Sequence, residues 1–122
     1  MSKTILAVDD YPETLEFLQS LLTKFGYEVT GVGTGEEALD LLVVKKFDLV
    51  LLDLMLPRVD GFEVCRRIKA DPTTQNIPVI AITAYDVPDI ISRCMAAGAN
   101  DVVLKPFDVQ KLLAVVKKYL PA

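Results

Sequence analysis

The sequence predicts a single α/β domain built on a doubly wound parallel sheet. Apolar runs of β type alternate with helix-type periodic segments five times along the 122 residues. Three of those runs are nearly continuous rather than alternating in polarity, as expected of parallel strands covered by helices on both faces. Parallel neighbours also need right-handed helical crossovers, which five βα units in so short a chain supply. One domain, residues 1–122, is therefore expected, large enough to bury roughly 65% of its unfolded surface.

Taken in order, the strand runs are 4-TILAV-8, 28-EVTGV-32, 47-FDLVLLD-53, 77-IPVIAIT-83 and 101-DVVLK-105. Between the first two, Leu15, Leu18, Leu22 and Phe25 recur at helical spacing and Gly26 ends the pattern. The second helix opens with 34-TGEE-37, a capping box in which Thr34 and Glu37 can satisfy each other's backbone donors, and carries Ala38, Leu41 and Leu42. A third helix is expected from about Phe62 to Ala70, stopping before Pro72. The fourth should span Pro88 to Ala97, with Asp86 as cap and Gly98 as terminator. The last, from about Asp108 to Tyr119, places Leu112, Leu113, Val116 and Leu120 on one face.

Composition removes several classes of function. Hydrophobic residues make up 52% and charged residues 25%, a globular balance, and no apolar run approaches the roughly 18 residues that cross a bilayer. The N-terminal MSKTILAVDD turns acidic where a signal peptide would stay apolar, so a cytoplasmic protein without membrane insertion is expected. A net charge of −4 argues against direct binding to nucleic acid. Cys65 and Cys94 lack CxxC spacing and no histidine exists to complete a zinc or thiol-protease site. Both are expected to be free structural thiols. The stretch 31-GVGTG-35 is not a dinucleotide loop, since Glu36 stands where the third glycine is required.

In doubly wound sheets ligands bind at the carboxyl ends of the strands. There the first run delivers Asp9 and Asp10, the third Asp53, the fourth Thr83, and the fifth Lys105 followed by Pro106. Asp53 interrupts the apolar stretch Leu49 to Leu54, and an unpaired carboxylate in such a run is costly. It is expected to emerge where the buried strand reaches the crevice. Three neighbouring carboxylates repel unless a cation intervenes, and a hard dication such as Mg²⁺ suits an all-oxygen site. Lys105 adds positive charge and Thr83 a hydroxyl donor, the parts that phosphoryl transfer needs. With no histidine and no P-loop in the chain, the nucleophile to expect is a carboxylate, Asp53.

From 5-ILAVDD-10 through 53-DLMLPRVDG-61 and 82-ITAYD-86 to 104-LKPF-107, the chain resembles the response-regulator receiver domains of two-component signalling, whose simplest members are CheY-like. The resemblance covers essentially the whole chain and implies a flavodoxin-like (βα)5 fold with sheet order 2-1-3-4-5. It implies that Asp53 is the phospho-acceptor, that Asp9 and Asp10 bind Mg²⁺ with Asp53 and the backbone carbonyl of Met55, and that Thr83 and Lys105 contact the phosphoryl group. It also implies a cis Lys105–Pro106 bond. The implied partners are a histidine kinase or histidine phosphotransferase as donor and a downstream protein target, with the receiver itself a monomer or weak dimer. Either a stand-alone regulator or the receiver of a longer DNA-binding regulator or hybrid kinase fits.

One position departs from the pattern. Many receivers carry an aromatic residue three positions before the strand-five lysine, and here it is Val102, which can neither swing a ring nor hydrogen-bond. Tyr85, two residues after Thr83, is the substitute candidate for switching, because 78-PVIAITAY-85 partly resembles a receiver subclass with a PFxFATGY motif, matching at Pro78, Thr83 and Tyr85. Two rival classes fit less well. A haloacid-dehalogenase-like phosphatase resembles D-x-D at its nucleophile, where this chain has Met55, and a flavodoxin-like electron carrier would not place two aspartates in its phosphate loop.

Overall fold

The computed structural model describes residues 2–58, 60–84 and 89–121. The chain runs through β1 (Thr4–Val8), α1 (Pro12–Lys24), β2 (Glu28–Val32), α2 (Gly35–Val44) and β3 (Leu49–Asp53). It continues through α3 (Gly61–Ala70), β4 (Val79–Ala84), α4 (Ile90–Ala96), β5 (Asp101–Lys105) and α5 (Val109–Tyr119). The five strands form one sheet in the order β2-β1-β3-β4-β5 with every pairing parallel, as expected.

Alternate residues of each central strand feed two separate cores. Leu6, Val8, Val50, Leu52, Val79 and Ala81 pack with side chains of α2, α3 and α4, among them Ala38, Leu42, Val64, Ile68 and Cys94. Ile5, Ala7, Leu49, Leu51, Ile80 and Ile82 face the other way, onto Leu18 and Leu22 of α1 and Leu112 and Val116 of α5. That double burial is why the runs read as continuous. Both cysteines are free and buried in the first core, and their thiol pKa values are pushed up by burial. Among the described residues no helix is long and apolar enough to cross a membrane.

Several boundaries fall differently from the sequence reading, each for a local reason. The third strand starts at Leu49 rather than at Phe47, because the Asp48 carboxylate takes the Thr4 backbone N–H at 2.8 Å. The fourth starts at Val79, past Pro78, which has no N–H to give a ladder, and its Val79 N–H donates to the Asn100 side chain at 2.9 Å. Helix α1 begins with Pro12 in its first turn, and Phe25 is its half-exposed C-cap rather than a core residue. Gly26 ends it at a φ of 92°. The capping box is also altered: Thr34 accepts the Glu37 N–H at 3.1 Å, but the Glu37 carboxylate takes the Thr34 hydroxyl at 3.1 Å instead of a backbone donor. Helix α4 spans Ile90–Ala96 among the described residues, and Asp89, inside the expected span, is not helical but has a left-handed φ of 60°. The expected cap Asp86 lies outside the described residues, as does Pro88.

Candidate functional site

The topology brings four strand ends to one edge, and the order of the sheet sets β1 and β3 side by side at its centre. One carboxylate oxygen from each of Asp9, Asp10 and Asp53 lies within 4.8 Å of the other two. Asp10 is exposed, whereas Asp9 is fully buried and Asp53 is only 2% exposed. The expectation that Asp53 emerges into the crevice is therefore corrected: the carboxylate stays inside and finds partners there. Its Oδ1 accepts the Met55 N–H at 2.9 Å, and its Oδ2 receives Lys105 Nζ at 3.4 Å.

Lys105 joins the first and third strands from the fifth. Its Nζ donates to Asp9 Oδ2 at 2.8 Å as well as to Asp53, and it stands 5.6 Å above the Tyr11 ring. Asp9 Oδ1 meanwhile accepts the Tyr11 N–H at 2.9 Å, at the entrance to α1. Burial works against the Lys105 charge, but the pull of Asp9 and Asp53 outweighs it and raises the lysine's pKa. Burial pushes the Asp53 carboxyl upward; the Met55 N–H pulls it down, the Asp9 charge raises it and Lys105 lowers it, and the balance is upward. Asp9 and Asp53 thus share one ammonium while Asp10 has none among the described residues, leaving an all-oxygen cluster with surplus negative charge.

Thr83 is buried at the end of β4, and among the described residues its hydroxyl reaches only the Ala84 carbonyl, at 3.4 Å. The Lys105–Pro106 peptide bond is cis. Met55 is exposed, with its backbone N–H committed to Asp53. Val102 is partly buried against the core that holds α4. Tyr85, the switch candidate, lies outside the described residues.

Gly61, a turn-type residue at the end of 53-DLMLPRVDG-61, has a closer role than the sequence announces. A Cβ there would sit 2.4 Å from both the Asp53 carbonyl oxygen and the Leu54 Cα. Only a hydrogen lets α3 begin this near the end of β3. Asp60 caps that helix by accepting the Glu63 N–H at 2.9 Å, and Gly61 N–H donates to the Leu54 carbonyl at 3.2 Å. The D-G pair was the available signal for a turn, but nothing in it announces contact with Asp53.

A family model for the response regulator receiver domain matches residues 5–117. The chain belongs to that family. This receiver is 42% identical over 117 residues to Response regulator PleD of Caulobacter vibrioides (strain NA1000 / CB15N), covering 96% of its own length and 26% of that protein. It is 39% identical over 121 residues to Sporulation initiation phosphotransferase F of Bacillus subtilis (strain 168), covering 99% of itself and 96% of that relative. The receiver therefore spans about a quarter of one relative's length and nearly all of the other's. Among solved structures, the receiver domain of sensor histidine kinase PA1611 from Pseudomonas aeruginosa PAO1 superposes with a TM-score of 0.90 at 30% identity, with 100% of each chain covered. That neighbour has a magnesium ion coordinated in its active site cleft. The present chain is accordingly a signalling receiver of the two-component type.

Proposed function

We propose that Asp53 is the phospho-acceptor of this receiver and that its phosphorylation changes the affinity of a downstream protein. The donor is a phosphohistidine on a histidine kinase or histidine phosphotransferase, lying outside residues 1–122, which contain no histidine. An Asp53 carboxylate oxygen attacks phosphorus, and the bond from phosphorus to the imidazole nitrogen breaks with its electron pair left on nitrogen. The product is an aspartyl phosphate. Water later returns the carboxylate and inorganic phosphate, so the receiver assists its own phosphorylation and hydrolysis while acting as a switch. The observation that carries this reading is the convergence of Asp53 with Asp9, Asp10 and Lys105 on one sheet edge.

The donor set fits Mg²⁺, because it is all oxygen and its carboxylates outnumber its one ammonium. Asp9, Asp10, Asp53 and the Met55 carbonyl would hold the ion, which when bound neutralises charge on the transferring group. Lys105 supplies a second cation for the phosphoryl oxygens, and Thr83 a hydroxyl donor. In the test, acetyl phosphate with Mg²⁺ adds one hydroxylamine-labile phosphoryl group, and chelation stops the uptake. Acid-stable phosphate, or uptake indifferent to chelation, would overturn the reading. Asp10→Ala should weaken Mg²⁺ binding on the order of tenfold, about 1.4 kcal/mol, whereas Lys105→Ala retains it. Titration of the metal into the metal-free variants decides this, and equal affinity in wild type and Asp10→Ala removes the acidic pair from the metal site.

We assign residues 1–122 to one receiver domain, cytoplasmic and monomeric or weakly dimeric, standing alone or serving as the receiver of a longer DNA-binding regulator or hybrid kinase. With Val102 unable to act as an aromatic switch, Thr83 and Tyr85 are the residues we assign to coupling. A phosphoryl group shifts a conformational equilibrium only by contacting two states differently, and Thr83 is the side chain able to make that difference. Tyr85→Ala is expected to lose most of a partner preference of about tenfold for the phosphorylated form while phosphoryl uptake stays normal. Retention of the full preference in a pull-down against phosphorylated and unphosphorylated protein removes Tyr85 from the route.

A further inference from the structure

The two most exposed large hydrophobic residues among those described are consecutive. Val43 and Val44, in the last turn of α2, are 83% and 78% exposed. They cover no core, and β-branched residues restrict their own side chains in a helix, so helix propensity does not account for them either. Two surface grooves of about 420 and 260 Å³ meet beside them, and Leu42, Val43, Thr73 and Thr74 line both. Lys45 and Lys46 rim the smaller groove. Neither lysine makes an ion pair among the described residues.

The two charged residues that line the larger groove, Asp71 and Arg67, both have partners. Asp71 accepts from the Thr73 N–H at 2.8 Å and from its hydroxyl at 2.7 Å, and Arg67 is held by Glu63 at 3.0 Å. Lys45 Nζ lies 5.1 Å over the Phe47 ring, a contact that leaves its charge unneutralised, so the smaller groove keeps an apolar floor with two positive charges at its rim, on a chain whose net charge is −4. We propose that this groove docks a protein segment that carries an apolar side chain flanked by carboxylates. A second copy of the receiver is the poorer occupant, because a self-complementary contact centred on the valines would bring two Lys45–Lys46 pairs together. The groove lies where α2 ends and where the segment after α3 leads into β4, at the sheet edge opposite Asp53. A bound segment would leave the acidic cluster open.

Two synthetic amphipathic peptides test the proposal, one built from Leu and Glu at helical spacing and the other with Lys in place of Glu, each titrated against the labelled receiver by amide NMR. The acidic peptide is expected to give saturable shifts at Val43, Val44, Thr73 and Thr74, weakened by salt. Binding should fall at least about tenfold in the double variant Val43→Asp, Val44→Asp, and by a similar factor for the basic peptide. The variant's amide spectrum away from α2 and its unfolding midpoint show that it is folded. No shift at those amides with millimolar acidic peptide overturns the proposal. Equal binding of the two peptides does so too, as does self-association in sedimentation that the double variant abolishes.

Discussion

Asp53→Asn is expected to take up no phosphoryl group from acetyl phosphate or from a phosphohistidine donor, while the folded, metal-free protein becomes more stable at neutral pH. The first outcome follows from chemistry, since the carboxylate is the proposed nucleophile and its amide is not one. The second follows from the position of the charge. Asp53 is 2% exposed, and burial, opposed by the Met55 N–H and Lys105 and aided by Asp9, leaves its carboxyl pKa raised in the folded state. A carboxyl with a raised folded pKa holds its proton more tightly in the native state than in the unfolded one. The stability it contributes is present at low pH and is lost as pH rises through the folded pKa.

The amide titrates nowhere in this range, and Lys105 keeps its shorter bond to Asp9, 2.8 Å against 3.4 Å to Asp53. In chelator, urea midpoints of the two proteins should therefore diverge as pH rises from below the ordinary carboxylate range toward neutrality, with the variant the more resistant. A gap that closes with rising pH would show that Lys105 pairing outweighs burial at this carboxylate. Undiminished Asp-linked phosphate on the variant in intact-mass analysis would remove Asp53 as acceptor.

Gly61→Ala carries the second large effect, and it acts through backbone rather than charge. The new Cβ would stand 2.4 Å from the Asp53 carbonyl oxygen and from the Leu54 Cα, and 3.0 Å from the Asp53 carbonyl carbon. None of these atoms can rotate away as a side chain could, because all three belong to the main chain where β3 ends. Overpacking against so rigid a neighbour is expected to cost about 3 kcal/mol. The strain falls on the residue that holds the nucleophile, so phosphoryl uptake should slow by about a hundredfold in the variant that remains folded. Urea unfolding and initial uptake rates measure the two effects separately. A variant within about 0.5 kcal/mol of wild type, with normal uptake, would show that α3 can retreat freely from β3.

The contrast between these two positions shows what a linear sequence discloses. Asp53 was visible because it breaks an apolar run, and its companions were visible because parallel strands deliver their carboxyl ends to one edge whatever lies between them. Asp9, Asp10, Thr83 and Lys105 could be gathered without any coordinates. The depth of Asp53 was not visible, since emergence and burial at a strand end look alike until Lys105 and the Met55 N–H are placed around the carboxylate. Gly61 was legible as a turn, but its contact with Asp53 depends on the angle at which α3 leaves the loop. Asp89 defeated the boundary of α4 for a similar reason: its left-handed φ of 60° is a backbone choice that an aspartate permits but does not declare. The capping box was found, yet which donor Glu37 would take is settled by rotamers within a single turn.

Lys105 has a mechanical consequence beyond its chemistry. The sheet order places β5 at an edge, with β4 between it and β3, and β1 farther still. One side chain anchored on the outermost strand is nevertheless fastened to the ends of both central strands, at 3.4 Å to Asp53 and 2.8 Å to Asp9. It works as a tension member laid across the rim of the sheet, crosswise to the strands themselves. Such a fastening is made of charge, so it can be transferred without breaking any strand pairing. An anion that draws the ammonium away from Asp9 would slacken one stay and tighten another, and the edge strand would feel the difference in load.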